Sequence, residues 1–332
     1  MKQAVYFDEY EDGDSQDVLI CYLCPKHCVI PPNGVGFCKV RKNMRGMLYS
    51  LNYGQITSIN MDPIEKKPLY HYAPGSKILS VGSWGCNLSC SFCQNYTIAH
   101  EKPKYVQRVA PDQLVEIAFS EESEGIAFTY NEPIVSFEFL LDTSRAASKE
   151  GLFNVMVTNG FIEEEPFKLL TQSIKAMNID LKFWNREYYK EIGGDRDAVL
   201  KTIQKAHESD LHVELTTLLI PGKSDNIDDI AEEVKWISDL SDEIPLHLSR
   251  YFPAYKSDIP PTDEDVMIKL YNKAKEHLKY VYLGNIDFEG YNDTVCPDCN
   301  TPVISRRGYN IEIKELDEFG RCKHCGKQIV RM

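Results

Sequence analysis

Three cysteines lie close together in the segment VGSWGCNLSCSFCQNY, residues 81–96: Cys86, Cys90 and Cys93. In a reducing compartment, clustered thiols are more often metal ligands than disulfide partners. A cubane 4Fe–4S cluster has four irons that each take one outside ligand, and a C-x3-C-x2-C loop supplies only three. Gly82 and Gly85 let the backbone approach such a cluster closely. The spacing therefore predicts a cluster with one open iron, as in catalytic metal sites.

An open iron can be chelated by the amine and carboxylate of an amino acid, and S-adenosylmethionine (SAM) presents both groups. One electron from the reduced cluster would then break the sulfur–C5′ bond, giving methionine and a 5′-deoxyadenosyl radical. Two alternatives stay open, namely a three-cysteine zinc site completed by a distant residue and a ferredoxin-like carrier with a remote fourth cysteine. The second is disfavoured because the other eight of the 11 cysteines form two complete sets of four.

The two sets of four predict structural metal sites at the ends of the chain. The C-terminal set pairs two C-x2-C knuckles and predicts a closed zinc ribbon, with rubredoxin-type iron as the alternative. The N-terminal set, C-x2-C-x3-C-x9-C, could bind zinc or a second iron–sulfur cluster, and the sequence favours zinc. A role for His27 in place of one thiol is the weaker reading. The two sets are Cys296, Cys299, Cys322 and Cys325, and Cys21, Cys24, Cys28 and Cys38.

Charge and hydropathy exclude several classes of protein. The net charge of −13 argues against broad nucleic-acid binding. No run of 18 apolar residues predicts a membrane span, and the acidic N-terminus is unlike a signal peptide, so we expect a cytoplasmic protein without membrane contacts. Residues 21–48 carry five basic and no acidic side chains. This patch could meet an anionic substrate or balance the thiolates and the acidic segment before it.

The chain divides into four predicted parts. These are an acidic lead segment at 1–20, a Cys-rich module with short strands at 21–75, an α/β domain at 76–292 and a zinc-ribbon domain at 293–332. From about residue 76, seven apolar strand-like runs alternate with amphipathic helices, which indicates a parallel sheet with helical crossovers. About six βα units suit a partial barrel better than a two-sided open sheet.

Several ordered blocks carry a family resemblance. GCNLSCSFCQN resembles the radical SAM signature, C-x3-C-x-aromatic-C, with Phe92 as the aromatic. Residues 21–331 are similar to the radical SAM enzymes of the AmmeMemoRadiSam system, relatives of the pyruvate formate-lyase activating enzymes. The shared blocks include CYLCPKHC, GVGFCKVR, TYNEP, TNGF, DLKFW, LLIPG and YVYLGN. The resemblance implies a partial (β/α)6 barrel with the cluster at the carboxyl ends of its strands.

The resemblance also implies contacts with SAM. The residues are Phe92 at the adenine, Glu132 at the amine, Thr158 and Asn159 beside SAM, Asp180 and Lys182 at the ribose and carboxylate, and His247 and Ser249 in the adenosyl pocket. Each has a plainer reading: Glu132 could start a helix, Asn159 could belong to a turn, the Asp180–Lys182 pair could be a local ion pair, and His247 could be a core histidine.

The sequence thus predicts a radical SAM oxidoreductase that abstracts hydrogen from an unidentified macromolecule, a protein or an RNA. Basic residues 39–45, with Arg306 and Arg307, motivate the RNA version. Small-molecule radical chemistry and a non-catalytic metal-binding interaction protein are the alternatives. The chemistry would need an electron donor such as ferredoxin or flavodoxin. By resemblance alone, Memo-type and AMMECR-type proteins are candidate partners.

Overall fold

A computed structural model of the protein describes residues 1–10, 17–286 and 288–332. Its strands are β1 (Lys2–Gln3), β2 (Phe7–Glu9), β3 (Leu19–Cys21), β4 (Val29–Ile30), β5 (Arg41–Met44), β6 (Met47–Ser50), β7 (Gln55–Ile56), β8 (Ser58–Pro63), β9 (Lys77–Gly82), β10 (Gln107–Arg108), β11 (Gly125–Phe128), β12 (Phe153–Thr158), β13 (Ala176–Asp180), β14 (His212–Leu219), β15 (Leu246–Arg250), β16 (Val281–Gly284), β17 (Thr294–Val295), β18 (Pro302–Arg307) and β19 (Asn310–Ile313). Its α-helices are α1 (Tyr96–Ala99), α2 (Pro111–Ser120), α3 (Phe137–Lys149), α4 (Glu164–Leu170), α5 (Arg186–Glu191), α6 (Arg196–Glu208), α7 (Ile227–Leu240) and α8 (Glu264–Lys275). None of the helices in these ranges is long and apolar enough to cross a bilayer.

An eight-stranded sheet forms the core, in the order β16-β15-β14-β13-β12-β11-β9-β8. The neighbouring pairs from β9 through β16 are parallel, and β8 pairs with β9 antiparallel. Each of the seven strand segments predicted from the apolar runs is present. The strand order never reverses along the parallel part, which distinguishes this sheet from a doubly wound one. The prediction placed β8 in the N-terminal module, and the structure corrects this by adding it to the main sheet.

Several of the helices between the strands begin at residues that favour a helix start. Pro111 opens α2, where its missing N–H costs nothing. The side chains of Asp195, Asn226 and Asp263 accept hydrogen bonds from the first turns of α6, α7 and α8. Strand β11 is buried at all four positions, as expected of a parallel strand covered on both faces. Because the strands from β9 through β16 are parallel, the helical crossovers bring their carboxyl ends to one edge of the sheet.

The N-terminal module contains two three-stranded antiparallel sheets, β2-β3-β4 and β1-β6-β5. Strands β1 and β2 come from the acidic lead segment, so residues 1–10 belong to this module, and residues 11–16 lie outside the described ranges. Arg41 and Glu138 form an ion pair of 2.7 Å that is buried on both sides. Because Glu138 lies on α3, this pair fixes the module to the main domain.

The C-terminal module is a small sheet, β17-β18-β19, with its own core around Cys296, Val303 and Cys322. Backbone hydrogen bonds join Arg331 to His71 and Ala73 at 2.8 and 2.7 Å, which docks the module on the segment before β9.

The structure also removes one motive for RNA binding. Arg306 is 3% exposed and donates to the Tyr70 carbonyl at 2.8 Å. Arg307 pairs with Glu289 and Asp293 at 3.0 Å each. The two arginines are therefore committed to contacts within the protein.

Candidate active site

The three cysteines of the 81–96 segment lie on the loop after β9, and all three line one cavity. The loop turns at Gly85, whose φ of 93° favours glycine. A Cβ at this position would lie 2.7 Å from the Cys38 carbonyl oxygen, so the loop packs directly on the N-terminal module. The cavity holds about 1140 Å³ of unfilled space, part of it open to solvent. About 390 Å³ of it is accessible to water-sized molecules, a volume within the range of ordinary small-molecule sites.

The rest of the cavity wall comes from the carboxyl ends of parallel strands. This edge is where α/β folds bind their ligands, because side chains from several strands converge there. Beyond the cysteines, six of the predicted site residues line it: Phe92, Glu132, Thr158, Asn159, Asp180 and Lys182. The structure therefore brings together nine of the predicted residues of this site.

Glu132, after β11, forms hydrogen bonds in the cavity wall with residues at the end of β12. Its Oε1 accepts hydrogen bonds from Thr158 Oγ1 at 2.8 Å and from the Ile134 amide at 3.1 Å. Its Oε2 accepts from the Asn159 amide at 2.8 Å. Burial raises the pKa of this carboxyl to about 7, although the three hydrogen bonds act in the opposite direction. A carboxylate has about four acceptor sites, so one remains for a ligand.

Asp180 and Lys182 form an ion pair of 2.8 Å beside the cysteines. Burial raises the pKa of the Cys90 thiol to about 11, and the Lys182 ammonium opposes that shift. Phe92 is buried and meets the ring of Phe183 edge-on, with centroids 5.7 Å apart. The Lys182 ammonium and the Asp180 carboxylate thus lie beside the cysteine loop, and the loop itself contributes the Phe92 ring.

Asn159 approaches the cysteine loop most directly. Its Nδ2 lies 3.9 Å from Cys86 Sγ and donates to Asn87 Oδ1 at 2.9 Å. An amide N–H at that distance can donate to a thiolate. The TNG segment after β12 therefore contacts both Cys86, through the Asn159 side chain, and Glu132, through the Asn159 backbone amide.

Two predicted residues do not reach this cavity. His247 lies at the amino-terminal half of β15, is 3% exposed and meets Glu214 Oε2 at 2.7 Å. His247 is outside the cavity wall and makes a buried histidine–carboxylate contact, and its predicted place in the adenosyl pocket stays a prediction. Ser249 pairs in register with Gly284, and its hydroxyl accepts from Asn285 Nδ2 at 3.0 Å. It is likewise outside the cavity wall.

Two lysines that the sequence analysis did not select also line the cavity. Lys67 is 2% exposed and pairs with Asp62 at 2.7 Å, while Lys66 pairs with the same carboxylate at 2.8 Å. The Tyr130 hydroxyl, also in the wall, donates to Asp62 at 2.7 Å. The adjacent lysines in the block IEKKPLY were the available signal, although they precede the main parallel strands.

Comparison with known proteins identifies the family. Residues 82–237 match the Radical SAM superfamily. The chain contains a radical SAM domain. This radical SAM protein is 41% identical over 336 residues to the uncharacterized protein MJ0808 of Methanocaldococcus jannaschii, across 99% of each chain, so the two belong to one family.

Two further comparisons concern more distant proteins. The pyruvate formate-lyase 1-activating enzyme of Escherichia coli is 24% identical over 174 residues, which cover 50% of this chain and 71% of that enzyme. A radical SAM methyltransferase from Sphaerobacter thermophilus has a similar fold, with a TM-score of 0.51 and 14% identity over 64% of this chain and 67% of that one. This radical SAM protein is therefore an enzyme with similarity to the activating enzymes.

A radical SAM domain implies a 4Fe–4S cluster and SAM, and the residues present fit both groups. Within the described ranges, Cys86, Cys90 and Cys93 are the cysteines that line the cavity, which leaves one iron of a cubane without a protein thiolate. Glu132 keeps one acceptor site for an ammonium group, and the cavity has space for a nucleoside. The chemistry of these donors matches what the two groups require.

Proposed function

We propose that this radical SAM enzyme cleaves SAM in the cavity after β9 and abstracts hydrogen from a protein substrate. When bound, the 4Fe–4S cluster supplies the electron that splits SAM into methionine and a 5′-deoxyadenosyl radical. The observation that carries the proposal is the convergence of three thiols with the Glu132, Asn159 and Lys182 side chains on one cavity.

Each residue of the cavity has a proposed task that its contacts support. The cysteines supply three thiolates. Glu132 binds the SAM ammonium through its remaining acceptor site, while its other hydrogen bonds fix its orientation. The Asp180 carboxylate and Lys182 ammonium bind the ribose and the SAM carboxylate, since each group retains hydrogen-bonding capacity beyond their mutual contact. Phe92 packs against the adenine.

A protein is the substrate class that the available contacts favour over RNA. The net charge is −13, and Arg41, Arg306 and Arg307 are engaged within the protein. The relative in Escherichia coli is by its name an activating enzyme of another enzyme. The cavity is open to solvent, so a segment of another chain can approach it. Memo-type and AMMECR-type proteins remain candidate partners by resemblance, and ferredoxin or flavodoxin remains the candidate electron donor.

The proposed cleavage is tested by anaerobic loading with iron and sulfide, followed by dithionite and SAM. The expected product is 5′-deoxyadenosine. Cys90→Ala should abolish its release, because two thiolates cannot hold the open-cornered cluster. Cys299→Ala is the matched control, since it removes one thiol from the distant ribbon and should lower stability while release continues. A fully loaded enzyme that releases no 5′-deoxyadenosine would support the non-catalytic alternative.

The substrate class is tested by deuterium transfer. Extract fractions from cells grown in fully deuterated medium should pass deuterium into 5′-deoxyadenosine, and protease treatment of the active fraction should abolish the transfer. Transfer that survives protease but is lost after ribonuclease treatment would instead identify an RNA substrate, and transfer from low-mass fractions would identify small-molecule chemistry.

A further inference from the structure

The three cysteine sets differ in how closely their sulfur atoms approach one another. In the ribbon set all four sulfurs lie within 4.8 Å of one another, with 3.5 Å between Cys296 and Cys325 and 3.6 Å between Cys299 and Cys322. This is the spacing of thiolates that share one ion, since tetrahedral Zn–S bonds of about 2.3 Å put the sulfurs about 3.8 Å apart. Elsewhere in the described ranges, no three Cys, His, Asp or Glu ligand atoms are that compact.

The N-terminal set is therefore more widely spaced than a single-ion site, although its members share one cavity. The cysteines that line this cavity are Cys21, Cys24, Cys28 and Cys38. Four thiolates around one zinc ion nearly touch each other, because all four bind the same ion. Four thiolates around a cubane lie farther apart, because each binds a different iron.

The cavity wall also contains a buried donor that lacks an acceptor. Arg41 lines the cavity, is 1% exposed, and uses its terminal nitrogens to donate to Glu138 at 2.7 Å and to the Val5 carbonyl at 3.0 Å. Its Nε has no hydrogen-bond partner within the described part of the chain. Buried N–H groups nearly always have an acceptor. A thiolate or a sulfide held in this cavity would provide one.

A backbone amide in this cavity donates a hydrogen bond to one of the four cysteine sulfurs. The Phe37 amide donates to Cys28 Sγ at 3.4 Å. Lys26 lies in the same wall, and its ammonium sits 3.7 Å from the centre of the Phe37 ring. The cavity therefore combines apolar side chains with donors and cations suited to an anionic thiolate cluster.

We propose that the four N-terminal cysteines hold a second iron–sulfur cluster of the 4Fe–4S type, instead of the zinc that their sequence spacing favours. This site does not depend on the proposed function, since the cluster would be bound whether or not SAM is cleaved. All four irons have a cysteine ligand here, so no iron is open to a substrate.

The N-terminal cysteine cavity lies next to the loop that carries Cys86, Cys90 and Cys93. Asn87 belongs to the wall of the N-terminal cavity and accepts a hydrogen bond from Asn159 at 2.9 Å, and Asn159 lies 3.9 Å from Cys86 Sγ. Two side chains therefore span the distance between the cavity and a thiolate of the first cluster. At this separation, two reduced clusters should broaden each other's electron paramagnetic resonance (EPR) signals.

The test uses two full-length variants with complementary cysteine sets. One replaces Cys86, Cys90 and Cys93 by Ala, and the other replaces Cys21, Cys24, Cys28 and Cys38 by Ala. After anaerobic loading, wild-type protein should contain roughly eight irons and eight sulfides per chain, and each variant roughly four of each. Zinc content should be the same in all three proteins and should fall only in the Cys299→Ala control.

A zinc-containing variant without Cys86, Cys90 and Cys93 that binds neither iron nor sulfide would overturn the proposal. If the variant without Cys21, Cys24, Cys28 and Cys38 does not fold, the iron content and EPR signal of the wild-type protein test the proposal. Roughly four irons per chain and an unbroadened EPR signal in the reduced protein would contradict the second cluster. Absence of 5′-deoxyadenosine from protein with roughly eight irons would count against the proposed function and leave this inference standing.

Discussion

Gly85 is the residue at which packing between the N-terminal module and the active-site loop can be measured. Gly85→Ala places a methyl group 2.7 Å from both the Cys38 carbonyl oxygen and Val40 Cγ1. Gly151→Ala is the matched control, because Gly151 has a similar φ of 85° but no heavy atom within 4 Å of the added Cβ. Both substitutions force alanine into a left-handed conformation, at a cost of about 1–2 kcal/mol.

The difference between the two variants isolates the packing. Overpacking against a backbone oxygen adds about 1–3 kcal/mol, so Gly85→Ala should lose that much more unfolding free energy than Gly151→Ala. Urea midpoints of the anaerobically loaded proteins measure the two losses when the transition slopes agree. The iron content of Gly85→Ala should also fall, since the displaced loop carries Cys86. Equal midpoints and equal iron content would refute the close packing of module and loop.

Two further predictions concern buried ionisable side chains. Burial raises the pKa of Glu233 to about 8 from 4.5, so folding takes up a proton between these pH values and stability falls as the pH rises through them. Glu233→Gln should abolish that dependence and stabilise the protein at pH 8 by roughly 3–5 kcal/mol; urea midpoints at pH 5 and pH 8 that keep the wild-type difference would contradict this. Asp62→Asn leaves the ammonium of the 2% exposed Lys67 without its carboxylate and should cost about 3–5 kcal/mol. Lys66→Ala, at the exposed partner of Asp62, should cost no more than about 1 kcal/mol, and similar thermal losses in both variants would exclude this difference.

The parallel strands could be predicted because each is a short apolar run between helix signals. Strand β8 was missed as a member of the main sheet because Asp62 is its one buried residue and it ends in Asp62 and Pro63, residues that are unusual in strands. Asp62 is tolerated there because the nearby Lys67 and the distant Tyr130 satisfy its carboxylate. The contact with Tyr130 leaves no local pattern in the sequence.

The active site was predictable where a motif and a strand end coincide. Glu132 and Asn159 follow β11 and β12, and Asp180 ends β13, so the topology brings them together with the cysteine loop. The predicted role of His247 rests on the resemblance alone, and the structure places its side chain outside the cavity wall. In the sheet register His247 lies opposite Thr216 of β14, and its side-chain contact with Glu214 becomes visible only in the structure.

The central claim is that one iron of the Cys86–Cys90–Cys93 cluster is open and binds SAM. Electron–nuclear double resonance of the reduced enzyme with SAM labelled by ¹⁵N at the amine and ¹⁷O at the carboxylate tests it most directly. We predict hyperfine coupling of both labels to the cluster, lost in Cys90→Ala. An iron cluster that shows a fourth protein ligand, or no coupling to either label at saturating SAM, would contradict the account.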